Sequence, residues 1–264
     1  MARNLIRQLL SDGKPTLGTH VLIPWPRLIE VIGNTEAFDY IEYVSEYSTF
    51  NIEQLENFGR AIDLFPKMSS MIKVEEQLRG YVATRAVDSG IESVLFTDCR
   101  SAEDVRQCVR LIRAETPEDG GVHGFGIRRL ITGVNPVSGA GWVERMRQIV
   151  IAVMIEKKTA MEELEEILAI KGVDMVQFGP GDYGISIGRP GYRGPEVLGK
   201  QMDMVKMALD RGIAPRVELG GYQQAQPFID AGVRHFCMGT DLRVLSSWSE
   251  EHSKGIKELI AKAK

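Results

Sequence analysis

Two carboxylates, Glu156 and Asp182, stand where each could act as a general acid–base group or as a ligand for a hard cation. Glu156 ends the apolar run 149–155, whose unbroken hydrophobicity suits a parallel strand buried on both faces. Asp182 closes the turn Gly179-Pro180-Gly181-Asp182, directly after a second apolar segment, 175–178. A helical pattern over 160–170 lies between the two segments. Strands joined by a crossover helix run parallel, so both carboxylates emerge at one rim of a sheet. Carboxylates that converge repel unless a cation or a shared proton separates them. The plainer reading is a salt-bridged glutamate and a turn aspartate.

The elements that position this pair recur along the chain. Strand patterns fall at 17–23, 40–44, 71–73, 93–96, 149–155, 175–178, 213–217 and 235–238. Helical patterns fit at 52–64, 74–88, 102–114, 197–211 and 223–231. Eight strands alternating with helices predict a (β/α)8 TIM barrel, and 264 residues match its typical size of about 250. The expectation is therefore one barrel domain over 1–264. The glycines of 120–126 do not form a strand–turn–helix entry, so no dinucleotide fingerprint is present. The stretch 116–142, with Arg128 and Arg129, is expected to be irregular, and a loop of that length is usually functional or part of an interface.

Composition narrows the partners. A net charge of -4 leaves no basic footprint for nucleic acid. No apolar run approaches the roughly 20 residues that span a bilayer, and the short amphipathic N-terminal segment lacks a signal-peptide core. Cys99, Cys108 and Cys237 are widely spaced, as in a reduced cytoplasmic chain. In a barrel, catalytic groups sit at the carboxyl ends of the strands. That rule selects His20, Glu46, Tyr47, Lys73, Thr97, Asp98, Glu156, Asp182, Arg216, Glu218, Thr240 and Asp241. Each also has a bland role: a satisfied histidine, a packed loop tyrosine, a surface lysine.

The apolar-Glu156 element, Gly172-Val-Asp174, Gly179-Pro-Gly-Asp182 and Ile187-Gly-Arg-Pro-Gly191 together resemble the HpcH/HpaI aldolase/citrate lyase family. The likeness runs from Leu17-Gly18 to about Leu245 and is strongest over 156–191. It implies a metal-dependent pyruvate-type aldolase on a TIM barrel, with Glu156 and Asp182 as the two protein ligands of Mg²⁺, Mn²⁺ or Co²⁺. It also implies a homo-oligomer, commonly a hexamer, whose C-terminal helix packs on or exchanges with a neighbour. Ile256, Leu259, Ile260 and Ala263 have the helical spacing for such a face.

Departures from the family pattern surround the substrate position. Ser45-Glu46-Tyr47 stands where the family carries Gly-Glu-His, so Tyr47 replaces the acid–base histidine. The partner aspartate matches Asp88 in Val87-Asp88-Ser89-Gly90. Lys73 replaces a substrate-binding arginine, Met154 a glutamine, and His20 a tryptophan. Tyrosine, with a reference pKa near 10, is a poor base at neutral pH, whereas histidine is in range. His20 is thus expected to take over proton transfer, with an inflection near pH 6–7. Lys73, Gly181, Asp182 and Arg189 are expected to hold the substrate, and the Ile187–Gly194 loop to act as a lid. The resulting reading is a divalent-metal-dependent carbon–carbon lyase that cleaves or forms a hydroxy-2-oxo acid from a 2-oxo acid and an aldehyde. The alternatives are a related lyase or decarboxylase with altered acid–base groups, a citrate-lyase-like activity on a thioester, or an inactive metal-binding barrel.

Overall fold

A computed structural model of the chain describes residues 4–126, 129–132, 136–191 and 194–263. Eight parallel strands close into a barrel in chain order. They are β1 (Thr16–Val21), β2 (Tyr40–Val44), β3 (Ser69–Val74), β4 (Ser93–Phe96), β5 (Val150–Ile155), β6 (Met175–Phe178), β7 (Ala214–Leu219) and β8 (His235–Thr240). Every residue of β2 to β6 is buried, because helices cover the outside and side chains fill the inside. Three strands have the bounds expected from sequence, and the others shift by one or two residues at one or both ends. Among the described residues no helix is long and apolar enough to cross a membrane.

The lower half of the barrel interior is apolar. Met71, Leu95, Val150, Ala152, Met154 and Met175 fill it, and Ile6 of the N-terminal helix Leu5–Ser11 packs on them from below. Arg7 fastens that helix with a two-pronged contact to Asp174, 2.6 Å at each oxygen. Gly18 on β1 is required here, since a Cβ would fall 2.2 Å from the Tyr40 ring that crosses the interior. Above these groups the lining becomes polar, and that change of polarity marks the rim of interest.

Several helices differ from expectation for local reasons. The pattern at 74–88 yields a helix only over Arg79–Asp88, because Val74 continues β3 to pair with Phe96 and Leu78 turns left-handed at φ 57°. The pattern at 160–170 breaks into Lys158–Glu162 and Leu164–Leu168. At the break, the Glu163 carboxylate accepts from Ala102 N at 2.7 Å, in the first turn of the helix Ala102–Ile112. The stretch 116–142 is not wholly irregular: it contains a short helix, Arg129–Thr132, and the start of Gly139–Gln148, which buries Trp142. Arg128 lies outside the described residues. The C-terminal helix spans Asp241–Lys262 and buries none of its residues against its own chain.

Candidate active site

Glu156 follows β5 directly and is 3 % exposed. Its Oε1 accepts from the Asp98 N–H at 2.7 Å. Asp98 sits beyond β4 at φ 55°, a left-handed conformation that aspartate tolerates better than most residues. On the other side, a Cβ at Gly179 would come 2.5 Å from Glu156 Oε2, so only glycine fits there. Burial pushes the Glu156 pKa up to about 7 and the Asp182 charge adds to it, while the Asp98 N–H, Lys73 and Lys157 oppose the rise. Asp182 lies in the first turn of the helix Pro180–Ser186, so the expected turn continues straight into a helix with Pro180 at its start.

Lys157 completes this group. Its Nζ lies 2.5 Å from Asp98 Oδ1 and 3.6 Å from Asp182 Oδ1. The sequence reading passed over it, although it follows Glu156 in the loop that barrel geometry singles out. Lys73, from β3, reaches Glu46 at 2.8 Å, and its Nζ stands 4.9 Å from the Tyr47 ring centroid. Tyr47 is 62 % exposed at the rim. Partial burial raises its phenol pKa to about 12, and Glu46, Asp182 and Glu156 add to the rise against the pull of Lys73. Such a phenol keeps its proton and acts as a donor.

His20 stands deeper, inside the barrel. Its Nδ1 is 2.9 Å from Gly239 O, and its Nε2 lies 3.5 Å from Glu42 Oε1 and 3.8 Å from Glu218 Oε2. Burial disfavours its charged form, but Cys237, Glu42 and Glu218 outweigh that cost and raise its pKa to about 10. The expected inflection near pH 6–7 therefore does not match this setting: in it, His20 carries its proton at neutral pH. Below it runs a buried network in which Arg216 and Glu218, selected from sequence by the strand-end rule, meet Tyr40, Glu42 and Gln177, which sequence reasoning missed. Arg216 donates from Nε to the Tyr40 hydroxyl at 2.7 Å, from Nη1 to Gln177 and from Nη2 to Glu42. Gln177 in turn donates to Glu218 at 3.2 Å. The available signal was Glu42 itself, an acidic residue on an inward position of the otherwise uncharged strand Tyr40–Val44.

Glu156, Asp182, Lys73 and Tyr47 are thus close enough for their charges to interact. Gly181 is open, with nothing within 4 Å of where a Cβ would be. Asp88 is not brought to them within the chain. It ends the helix that descends from β3, which carries it to the opposite rim, and it faces His123 Nε2 at 3.1 Å. Arg189 is exposed and paired with Glu196. Tyr192 and Arg193, the rest of the expected lid's side-chain contacts, lie outside the described residues. Thr97 and Asp241 have structural duties: Thr97 Oγ1 donates to Val74 O, and Asp241 accepts from Leu22 N and Ile23 N. Two surface clefts lie away from this rim, one beside Arg7 and His235 and one beside Tyr183 and Lys200, and it is charge and strand polarity that identify the rim.

Comparison with known proteins identifies the family and the fold. A hydroxypyruvate/pyruvate aldolase from Roseobacter denitrificans is 25% identical over 248 residues, covering 92% of this chain and 93% of that protein. A 4-hydroxy-2-oxo-heptane-1,7-dioate aldolase from Escherichia coli is 24% identical over 250 residues, covering 94% and 92%. The crystal structure of an HpcH/HpaI aldolase from Desulfitobacterium hafniense superposes with a TM-score of 0.87 at 25% identity, covering 97% of each chain. The family model for HpcH/HpaI aldolase/citrate lyase matches residues 55–247, from the helix before β3 to the start of the C-terminal helix. With the closed barrel and the Glu156–Asp182 rim, that match establishes that the chain belongs to the HpcH/HpaI aldolase/citrate lyase family and is a carbon–carbon lyase of that class.

Proposed function

We propose that this lyase makes or breaks the carbon–carbon bond of a hydroxy-2-oxo acid, exchanging it with a pyruvate-type 2-oxo acid and an aldehyde, while Glu156 and Asp182 hold a divalent cation. The observation that carries this reading is the Glu156 carboxylate, buried between the Asp98 N–H and the bare backbone of Gly179, with Asp182 opposing its charge. A desolvated carboxylate with a second one beside it is costly, and a hard cation relieves both. The all-oxygen donor pair suits Mg²⁺, Mn²⁺ or Co²⁺. When bound, the ion supplies Lewis acidity that draws electron density from the substrate carbonyl.

The chain's own side chains supply orientation and protons. The Lys73 ammonium, 8 % exposed and held against Glu46, offers a point charge for the substrate carboxylate. Tyr47, which keeps its proton, donates a hydrogen bond to the aldehyde oxygen as it develops charge. The open backbone at Gly181 admits the substrate beside Asp182. The activities in the names of the relatives support the substrate class, since both are aldolases named for 2-oxo acids. The free cysteines suit a reducing, cytoplasmic setting.

Decarboxylation of a 2-oxo acid that carries a second carboxylate on the carbon beside its carbonyl is the second reading, since loss of that carboxylate leaves the same enolate. Its motive is that Tyr47 and His20 both hold their protons at neutral pH, and carbon dioxide leaves without a base, whereas retro-aldol cleavage must deprotonate a hydroxyl. One experiment tests enolate chemistry directly. Purified protein with Mg²⁺, Mn²⁺ or Co²⁺ is expected to exchange the methyl protons of pyruvate with D₂O, followed by proton NMR. No exchange above the protein-free rate with any of the three ions would sink the proposal.

A further inference from the structure

We propose that His20, Glu42 and Cys237 form a second divalent-cation site inside the barrel, suited to a thiophilic ion such as Zn²⁺, with Glu218 in reach as a further donor. The site is independent of the one at Glu156 and Asp182. It is built from β1, β2 and β8, across the barrel from β5 and β6, and it offers nitrogen and sulfur where the rim pair offers only oxygen.

Geometry carries the inference. One donor atom from each of the three residues lies within 4.8 Å of the other two. Tetrahedral zinc places nitrogen and oxygen ligands roughly 3.3 Å apart, from bond lengths of about 2.0–2.1 Å. His20 Nε2 and Glu42 Oε1 are already 3.5 Å apart. These two atoms are buried, and neither is satisfied by a hydrogen bond of normal geometry. Their side chains are 3 % and 0 % exposed, so water from bulk does not meet them. Orphaned buried polar atoms are costly, and two that face a buried thiol point to a shared ligand.

The surrounding groups orient the donors as second partners of metal ligands do. Gly239 O lies 2.9 Å from His20 Nδ1 and takes that proton, which leaves Nε2 as the ring's free donor atom. Arg216 holds Glu42 through Oε2 and leaves Oε1 turned toward His20. Charge balances as well. A divalent ion with the Arg216 guanidinium carries three positive charges, and Glu42, Glu218 and a Cys237 thiolate carry three negative ones. The ion displaces the ring proton of His20 and the thiol proton of Cys237, as binding to these ligand types requires.

Cobalt(II) titration of the full chain tests this, because a thiolate ligand gives a sulfur-to-cobalt charge-transfer band that an oxygen-only site cannot give. The expected result is one equivalent of Co²⁺ with that band, displaced by Zn²⁺, in both wild type and Glu156→Gln/Asp182→Asn. The double variant separates this site from the rim site, whose failure would not alter the band. Cys237→Ser should abolish the band, and His20→Gln should weaken Co²⁺ binding at least about tenfold. If Cys237→Ser does not fold, His20→Gln, which keeps every thiol, supplies the deciding result. Absence of the band at saturating Co²⁺, its persistence in Cys237→Ser, or unchanged affinity in His20→Gln would overturn the proposal and leave a buried His20–Glu42 ion pair.

Discussion

At the scale of single residues, the site is governed by how far each charged group is removed from water. Glu156 is enclosed and Asp182 is not, yet each supplies one of only two proposed protein ligands. Glu156→Ala and Asp182→Ala are each expected to abolish Mg²⁺ binding, a hard ion that a nitrogen–sulfur site does not favour, with the circular dichroism spectrum unchanged. Titration calorimetry showing wild-type affinity in both would refute the assignment. Glu156→Gln is the gentler companion, since its amide oxygen can still accept from Asp98 N. His20 makes a second residue-scale prediction. With no cation at Nε2, a pKa of about 10 keeps it protonated throughout the neutral range, so in the ion-free site a role in orienting or protonating the substrate persists below pH 10 and fails as pH rises through it. His20→Ala should lower kcat by roughly 10²-fold and remove an alkaline limb of the pH–rate profile. A wild-type limb at pH 6–7 that vanishes in the variant would instead show that His20 works as a neutral base.

At the scale of elements, position along a strand decides what a side chain can reach. Tyr47 and Lys73 meet because β2 and β3 pair in register, Val44 opposite Lys73, and Tyr47 follows three residues later in a tight 3₁₀ turn. The segment from Ile187 to Gly194 leaves the helix that bears Asp182 and enters the helix Pro195–Asp210. Gly188 and Gly191 have positive φ there, the kind of backbone on which a closing loop can hinge. Arg189, paired with Glu196, is proposed to turn toward an anionic substrate. Arg189→Ala should then raise KM several-fold, and the companion Arg193→Ala should do the same. Steady-state kinetics unchanged in both variants would dismiss the lid.

At the scale of the whole molecule, the helix Asp241–Lys262 touches its own chain at its start, through Asp241, and buries none of its residues there. Val244, Leu245, Trp248, Ile256, Leu259 and Ile260 are each more than half exposed, and Phe236 and Met238 of β8 are only partly covered. An apolar helix and an under-covered wall on one chain are complementary on two copies. The chain is therefore proposed to be a homo-oligomer, and a hexamer is the expectation from family resemblance. Light scattering at micromolar concentration should give a multiple of 29.4 kDa. Leu259→Asp with Ile260→Asp should shift it toward the monomer. A wild-type mass of one chain would contradict the proposal.

Much of this fold is legible along the chain because barrel strands leave local traces: continuous apolar runs, glycine-rich exits and helical periodicity between them. The rim rule then picks out Glu156, Asp182, Lys73 and Tyr47 from their distance to a strand end alone. Convergence from distant elements leaves no such trace. The Asp88 motif reads well locally, yet the descending helix Arg79–Asp88 delivers it to the other rim. The helical pattern at 160–170 is sound, yet Glu163 breaks it to serve a neighbouring helix 61 residues away in sequence. His20 has an ordinary histidine's chemistry in the sequence, and only enclosure beside Glu42, Glu218 and Cys237 changes its protonation. By itself the sequence determined the barrel, the family and the two rim carboxylates, since each depends on residue type and local spacing. The tertiary structure decided which charges lie together, because desolvation and Coulomb interaction depend on distances through space that the order of residues does not contain.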